Sequence, residues 1–157
     1  MPNRHRGSDS ERRALDAYVK LSRALATVDA RVHRPLGRHG LTTSRFGVLE
    51  ALYHLGPLNQ RELGRKILKS SGNVTVVVDH LERDGLVART RGPDDRRQVV
   101  VSLTDAGRRC IETVFPAHVA RIVEAFSALE PTEVSELAAL AKRLGTSPPP
   151  TLEEASA

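Results

Sequence analysis

The sequence predicts a mainly α-helical chain with one small β-hairpin, and three observations carry that prediction. Its 157 residues are about the size of one domain and can bury a respectable core. Apolar residues recur at helical spacing along most of the length. Two short β-branched runs, Leu86-Val87-Ala88-Arg89-Thr90 and Val99-Val100-Val101-Ser102-Leu103, flank the octet RGPDDRRQ, in which four charged side chains follow a Gly-Pro pair. Such runs bounded by turn chemistry form a hairpin, and a tip with nothing apolar to bury is exposed.

In chain order, Leu15, Val19, Leu25 and Val32, with Arg and Asp between them, predict a long amphipathic helix over about 10–32. A second helix covers 43–55, with Phe46, Leu49, Leu52 and Tyr53 inward. In GPLNQRELGRKI, Asn59 can cap a helix over roughly 60–68, Glu62 can bond back to the cap, and Leu58 and Leu63 stand at staple positions.

The segment SSGNVTVVVDHLERDG sets propensity against periodicity. Val-Thr-Val-Val-Val favours a strand. Val74, Val77, Val78 and Leu81, however, fall at i, i+3, i+4 and i+7, Ser70 or Ser71 can cap, and Gly85 can close the run. The periodicity predicts a helix whose outward face carries Gly72, Asn73, Val76, His80 and Arg83, flanked by Ser71, Thr75 and Asp79. Beyond the hairpin, Thr104 can cap a long helix over 105–128, with a kink expected at Pro116. A last helix opens at Pro131, is expected to stop at Gly145, and aligns Val134, Leu137, Ala141 and Leu144 on one seam. The closing GTSPPPTLEEASA has the composition of a disordered tail.

Charge bounds the partner. Twenty-four Lys and Arg against 19 Asp and Glu give a net +5. The excess is localised, with nine basic against four acidic residues in 1–40, nine against six in 61–97, and two against five in 127–157. An anionic partner fits that distribution. One cysteine, Cys110, precludes an intramolecular disulfide and fits a reducing compartment. With no apolar run of membrane-spanning length and no apolar secretion signal, the expected location is cytoplasmic. Nucleophile elbow, phosphate loop and metal motif are all lacking, so an enzyme is not expected and no cofactor or metal is called for. The six histidines show no metal-ligand spacing, and Cys110 fits structural filler better than an oxidant sensor.

Two short helices, the second presenting small polar groups, followed at once by a basic-tipped hairpin, are the order of a winged helix-turn-helix. A helix end bearing Ser, Asn and Thr offers partners for base edges in the major groove, and its free N–H groups attract phosphate. Arginine at the hairpin tip suits the minor groove, whose negative potential rewards it.

The runs LGRKILKSSGNVTVVVDHLERDG and GLVARTRGPDDRRQVVVSLTDAG resemble the MarR family of bacterial winged-helix transcription regulators, over about 10–145. Asp95-x-Arg97, Gly85-Leu86-Val87 and Leu103-Thr104 fall in register with that family. The resemblance implies that 71–84 is the recognition helix, and that Asp95 steadies Arg97, which enters the minor groove. It implies a homodimer built from 10–34, 105–128 and 131–144, acting on an inverted-repeat operator in double-stranded DNA. It also implies release, as from a repressor, by a small aromatic or phenolic effector; response to oxidation or metal, or to no ligand, is the alternative. Family members often have arginine or another polar residue where this chain has Val76. A valine there can pack on a thymine methyl instead.

The expected organisation is a flexible basic tail (1–9), a dimerisation helix (10–40), a winged helix-turn-helix domain (41–104), C-terminal dimerisation helices (105–145) and the disordered tail (146–157). Candidate DNA contacts are Asn59, Gln60 and Arg61 in the first short helix and Lys69, Ser70, Ser71, Asn73, Thr75, Val76 and His80 along the second. The wing adds Arg89, Arg91, Asp95, Arg96 and Arg97. Candidate effector contacts are His33, His39, Phe46, Tyr53 and Phe115, which the resemblance places around a cleft.

Overall fold

Ser8 opens the first helix, α1 (Asp9–His33), with a reciprocal cap: its Oγ accepts from the Glu11 N–H at 3.3 Å, and the Glu11 carboxylate accepts from the Ser8 N–H at 2.6 Å. This computed structural model describes residues 5–67, 71–91 and 98–146. The chain divides into two units, Met1–Ile122 and Val123–Ala157. Of the predicted α1 seam only Val32 is buried, while Leu25 is 58% exposed. A 3-10 turn, Arg34–His39, follows, with Pro35 supplying its fixed φ and Gly40 closing it at φ +66°.

Helix α2 (Thr43–Leu55) begins where Thr42 Oγ1 accepts from the Arg45 N–H at 3.2 Å. It buries Phe46, Val48, Leu49 and Leu52, and Tyr53 is half-buried. A two-residue strand, β1 (Leu58–Asn59), leads into α3 (Gln60–Lys66) and α4 (Ser71–Arg83). Strands β2 (Val87–Arg91) and β3 (Val99–Leu103) pair antiparallel, with Arg89 opposite Val101. The sheet order is β1-β3-β2. Strand β1 was not expected, because two residues before a cap carry no periodicity. Only the pairing of Leu58 with Val101 and Asn59 with Val100 makes them a strand.

The core lies where α2, α3 and α4 meet the sheet and the start of α5 (Asp105–Phe126). Phe46, Leu49, Leu63, Val74, Val78, Leu81, Val87, Val101 and Ile111 are all nearly or fully buried there. Helix α5 is joined closely to the hairpin. Thr104 Oγ1 donates to Gly85 O at 2.7 Å and accepts from the Gly107 N–H at 3.0 Å, so one hydroxyl caps the helix and ties it to the strand entry. The helix continues through Pro116.

The second unit contains α6 (Pro131–Thr146), in which no residue is buried. Leu137 and Leu144 of the predicted seam are exposed, the latter by 68%. Gly145 does not stop this helix. It lies within α6 and is not among the glycines with positive φ, so it takes the helical conformation rather than a left-handed cap. Of the expected tail, 146–157, Thr146 belongs to α6 and 147–157 lie outside the described residues. No described helix is long and apolar enough to cross a membrane.

Candidate nucleic-acid interface

Asn59 starts the first helix of the pair in the predicted way. Its Oδ1 accepts from the Glu62 N–H at 2.9 Å, and Glu62 Oε2 accepts from the Asn59 N–H at 3.0 Å. Its carbonyl is thus engaged as a cap. Leu63 is buried, Gln60 is half-buried, and Arg61 points outward.

In α4 periodicity overrides β-propensity. Val74, Val77, Val78 and Leu81 are buried along one side, and that burial outweighs the entropy cost of three consecutive valines in a helix. Gly85 ends the run at φ +70°. Its N–H donates to Glu82 O, and the Leu86 N–H to Leu81 O, both at 2.9 Å. The opposite side presents Asn73, Thr75, Val76 and His80 to solvent. Val76 is 53% exposed, a valine that contributes nothing to the core.

Arg91 is exposed at the end of β2. Arg89 is placed differently. Its Nη1 donates to Glu82 Oε2 at 2.5 Å, its Nη2 to Asp79 Oδ1 at 2.5 Å, and its backbone N–H to Glu82 Oε1 at 3.1 Å. The guanidinium expected to face DNA is held on α4. Ser71 begins α4. Lys69, Ser70, Asp95, Arg96 and Arg97 lie outside the described residues.

Among the cavities formed by the described residues, neither of the two nearest the candidate effector contacts is lined by all five. His39 lines a cavity of about 80 Å³ with Arg38, Val114, His118 and Arg121. His33 and Phe46 border a larger hollow of about 390 Å³ with Glu50, His54, Lys66 and Ile67. Tyr53 and Phe115 sit in a ring cluster, with His54 5.1 Å from Tyr53 and 4.9 Å from Phe115. Sequence reasoning missed His54 as the link between cluster and hollow. Glu50 was missed too. Burial pushes its carboxyl above the usual range, against the pull of His54 and His33.

His118 was the other omission. It is 6% exposed, lies between Phe46 and His33, and its Nδ1 has no hydrogen-bond partner among the described residues. Burial, with a smaller push from His33, lowers its pKa and favours the neutral ring. Its position on α5, four residues after Val114, was the available signal. The Cys110 thiol is pushed up by burial, which Arg45 partly opposes. Among the described residues, no group of three or more His, Cys, Asp or Glu side chains is placed to hold a metal ion.

This arrangement has counterparts. The MarR family profile matches residues 41–99. The helix-turn-helix-type transcriptional regulator YkoM of Bacillus subtilis is 40% identical over 133 residues, covering 85% of this chain and 86% of its own. MhqR, a regulator of the same type from that bacterium, is 37% identical over 133 residues, covering 85% of this chain and 92% of its own. The structure of Bordetella bronchiseptica BpsR, whose DNA binding is regulated by 6-hydroxynicotinic acid, superposes with a TM-score of 0.74 at 27% identity. That match covers 83% of this chain and 98% of BpsR. With a helix pair and hairpin of this geometry in the matched region, the chain belongs to the MarR family: it is a DNA-binding transcriptional regulator and not an enzyme.

Proposed function

We propose that the chain acts as a homodimer on an inverted-repeat operator, with α4 in the major groove and the wing arginine Arg97 in the minor groove. In this reading it is a repressor, released by a small aromatic acid or phenol. The observation that carries the dimer is the uncovered apolar side of α1, with Leu15, Leu21 and Leu25, and of α6, with Leu137, Leu140 and Leu144. Leucines on one side of a helix at this exposure need a partner surface, and a two-fold partner also doubles the DNA contacts.

Asn73, Thr75, Val76 and His80 are then the base-facing set, joined by Lys69, Ser70 and Ser71, with Gln60, Arg61, Arg91 and Arg96 serving the backbone. For the effector, the hollow beside His33, Glu50, His54 and Lys66 has the volume of a small-molecule site, a largely apolar wall and convergent polar groups. The regulation of BpsR by an aromatic acid supports this ligand class. Release requires that the ligand favour the helix spacing that does not fit DNA, since equal affinity for both spacings shifts nothing. An oxidant-sensing alternative is disfavoured by the raised pKa of Cys110, which keeps the thiol protonated.

The test is selection of bound duplexes from a random pool, followed by a screen of aromatic acids and phenols for release. An inverted repeat that one such compound frees supports the reading. Operator occupancy unmoved by every compound makes the protein a constitutive regulator.

A further inference from the structure

Asp79 and Glu82 stand three residues apart on α4, so their carboxylates share one side of the helix. Arg89 of β2 occupies the gap between them, one guanidinium nitrogen to each, while its own N–H holds Glu82 as well. A planar fork on two carboxylates fixes orientation in a way a single lysine charge cannot. The three bonds join the hairpin to the recognition helix at one place. The Arg89 side chain is largely covered, with 21% of it exposed.

Stability does not need this bridge. The hairpin is already anchored by buried Val87 and Val101, and partly exposed ion pairs add little to folding. Geometry at the DNA does need it. A helix and a wing that enter different grooves read sequence together only if their spacing is set before binding, because ordering them on the DNA costs affinity.

We propose that Arg89 is a positioning residue for operator recognition, which locks the wing to α4 through Asp79 and Glu82 and touches no phosphate itself. The proposal rests on the operator reading above, and binding of the wild-type protein to the selected operator, measured first, tests that reading alone. Affinity is then measured by fluorescence anisotropy for the operator and for an unrelated duplex of equal length, across a salt series.

Arg89→Ala should weaken operator binding roughly tenfold, the scale of one lost contact, and change binding to unrelated DNA by less than about twofold. The slope of log affinity on log salt should stay as in the wild type, since no neutralised phosphate is lost. The Asp79→Asn/Glu82→Gln double variant makes the chain more basic, yet it should also weaken operator binding. Adding Arg89→Ala to it should cost nothing more. Should Arg89→Ala fail to fold, the double variant and Arg89→Lys carry the test, with Arg89→Lys showing the same operator-only loss. A slope reduced by about two per dimer, with equal loss on both duplexes, would make Arg89 a phosphate contact and overturn the proposal. Tighter operator binding by the double variant would overturn it equally.

Discussion

The ring of His118 packs against that of Phe46 with centroids 4.3 Å apart, so an ionisable group on α5 forms part of the wall that α2 presents to the core. His33 lies 5.6 Å away on the other side. Arg38, His39 and Arg121 line the adjoining cavity. Every titratable neighbour named here is cationic when charged, so none stabilises an imidazolium.

Stability should therefore depend on pH through His118. Its folded pKa lies below the ordinary 6.5. The unfolded chain thus binds the proton more readily, and stability is full above about pH 6.5 and falls as pH drops toward the folded value. Glu50, with a raised pKa, runs the other way and loses stability as pH rises. The useful quantity is the difference between variants. His118→Phe keeps a ring against Phe46 and should lose less Tm than the wild type between pH 7 and pH 5 in thermal melts. An equal loss in both would place the titration elsewhere.

Gly107 is a close-approach position. A Cβ built on it would stand 1.9 Å from Leu86 O, a backbone atom with little room to yield. Gly107→Ala should destabilise by at least the upper part of the about 1–3 kcal/mol range for overpacking, read from the urea midpoint. A midpoint within error of the wild type would mean that α5 can slide away from the hairpin entry.

Val76 should read a methyl group. Its exposed side chain would be covered by a thymine C5-methyl, and discrimination at one base pair is worth about 1–3 kcal/mol, with a methyl contact near the lower end. Val76→Ala should relax preference at one A·T pair per half-site and leave melting unchanged. Uracil in place of that thymine removes only the methyl and should reproduce the loss. If uracil binds as tightly as thymine at every half-site position, Asn73 and Thr75 carry the specificity without Val76.

For the wing, Arg97→Ala should cost roughly 1–3 kcal/mol of DNA affinity with dimerisation unchanged. Asp95→Ala should weaken binding as well, although it removes a negative charge. Tighter binding by Asp95→Ala in the same anisotropy assay would show that Asp95 does not orient the arginine.

The fold was legible wherever local chemistry and burial agree. Asn59 with Glu62, Thr104 before α5, and the apolar i, i+3, i+4, i+7 positions of α4 each gave their element from sequence, because caps and periodicity are short-range. Strand β1 was not legible, since Leu58 and Asn59 become a strand only by meeting Val100 and Val101 some forty residues away. Gly145 misled because a glycine near a helix end permits a left-handed cap without requiring one.

The candidate site divides in the same way. Val76 was read as exposed from periodicity alone, and it is. The pairing of Arg89 with Asp79 and Glu82 was not legible, because an arginine in a wing strand gives no sign of which carboxylates it will meet, and these two reach it through the turn at Gly85. The five effector candidates separated because helix membership does not fix which side of α2 or α5 a ring occupies.

Dimeric operator binding is tested most directly by the mass and footprint of the complex on the selected operator, by light scattering and hydroxyl-radical protection. Two chains per duplex are expected, protecting two symmetry-related half-sites with centres about 10 base pairs apart. One chain per duplex on an asymmetric site, at concentrations that saturate binding, would contradict it.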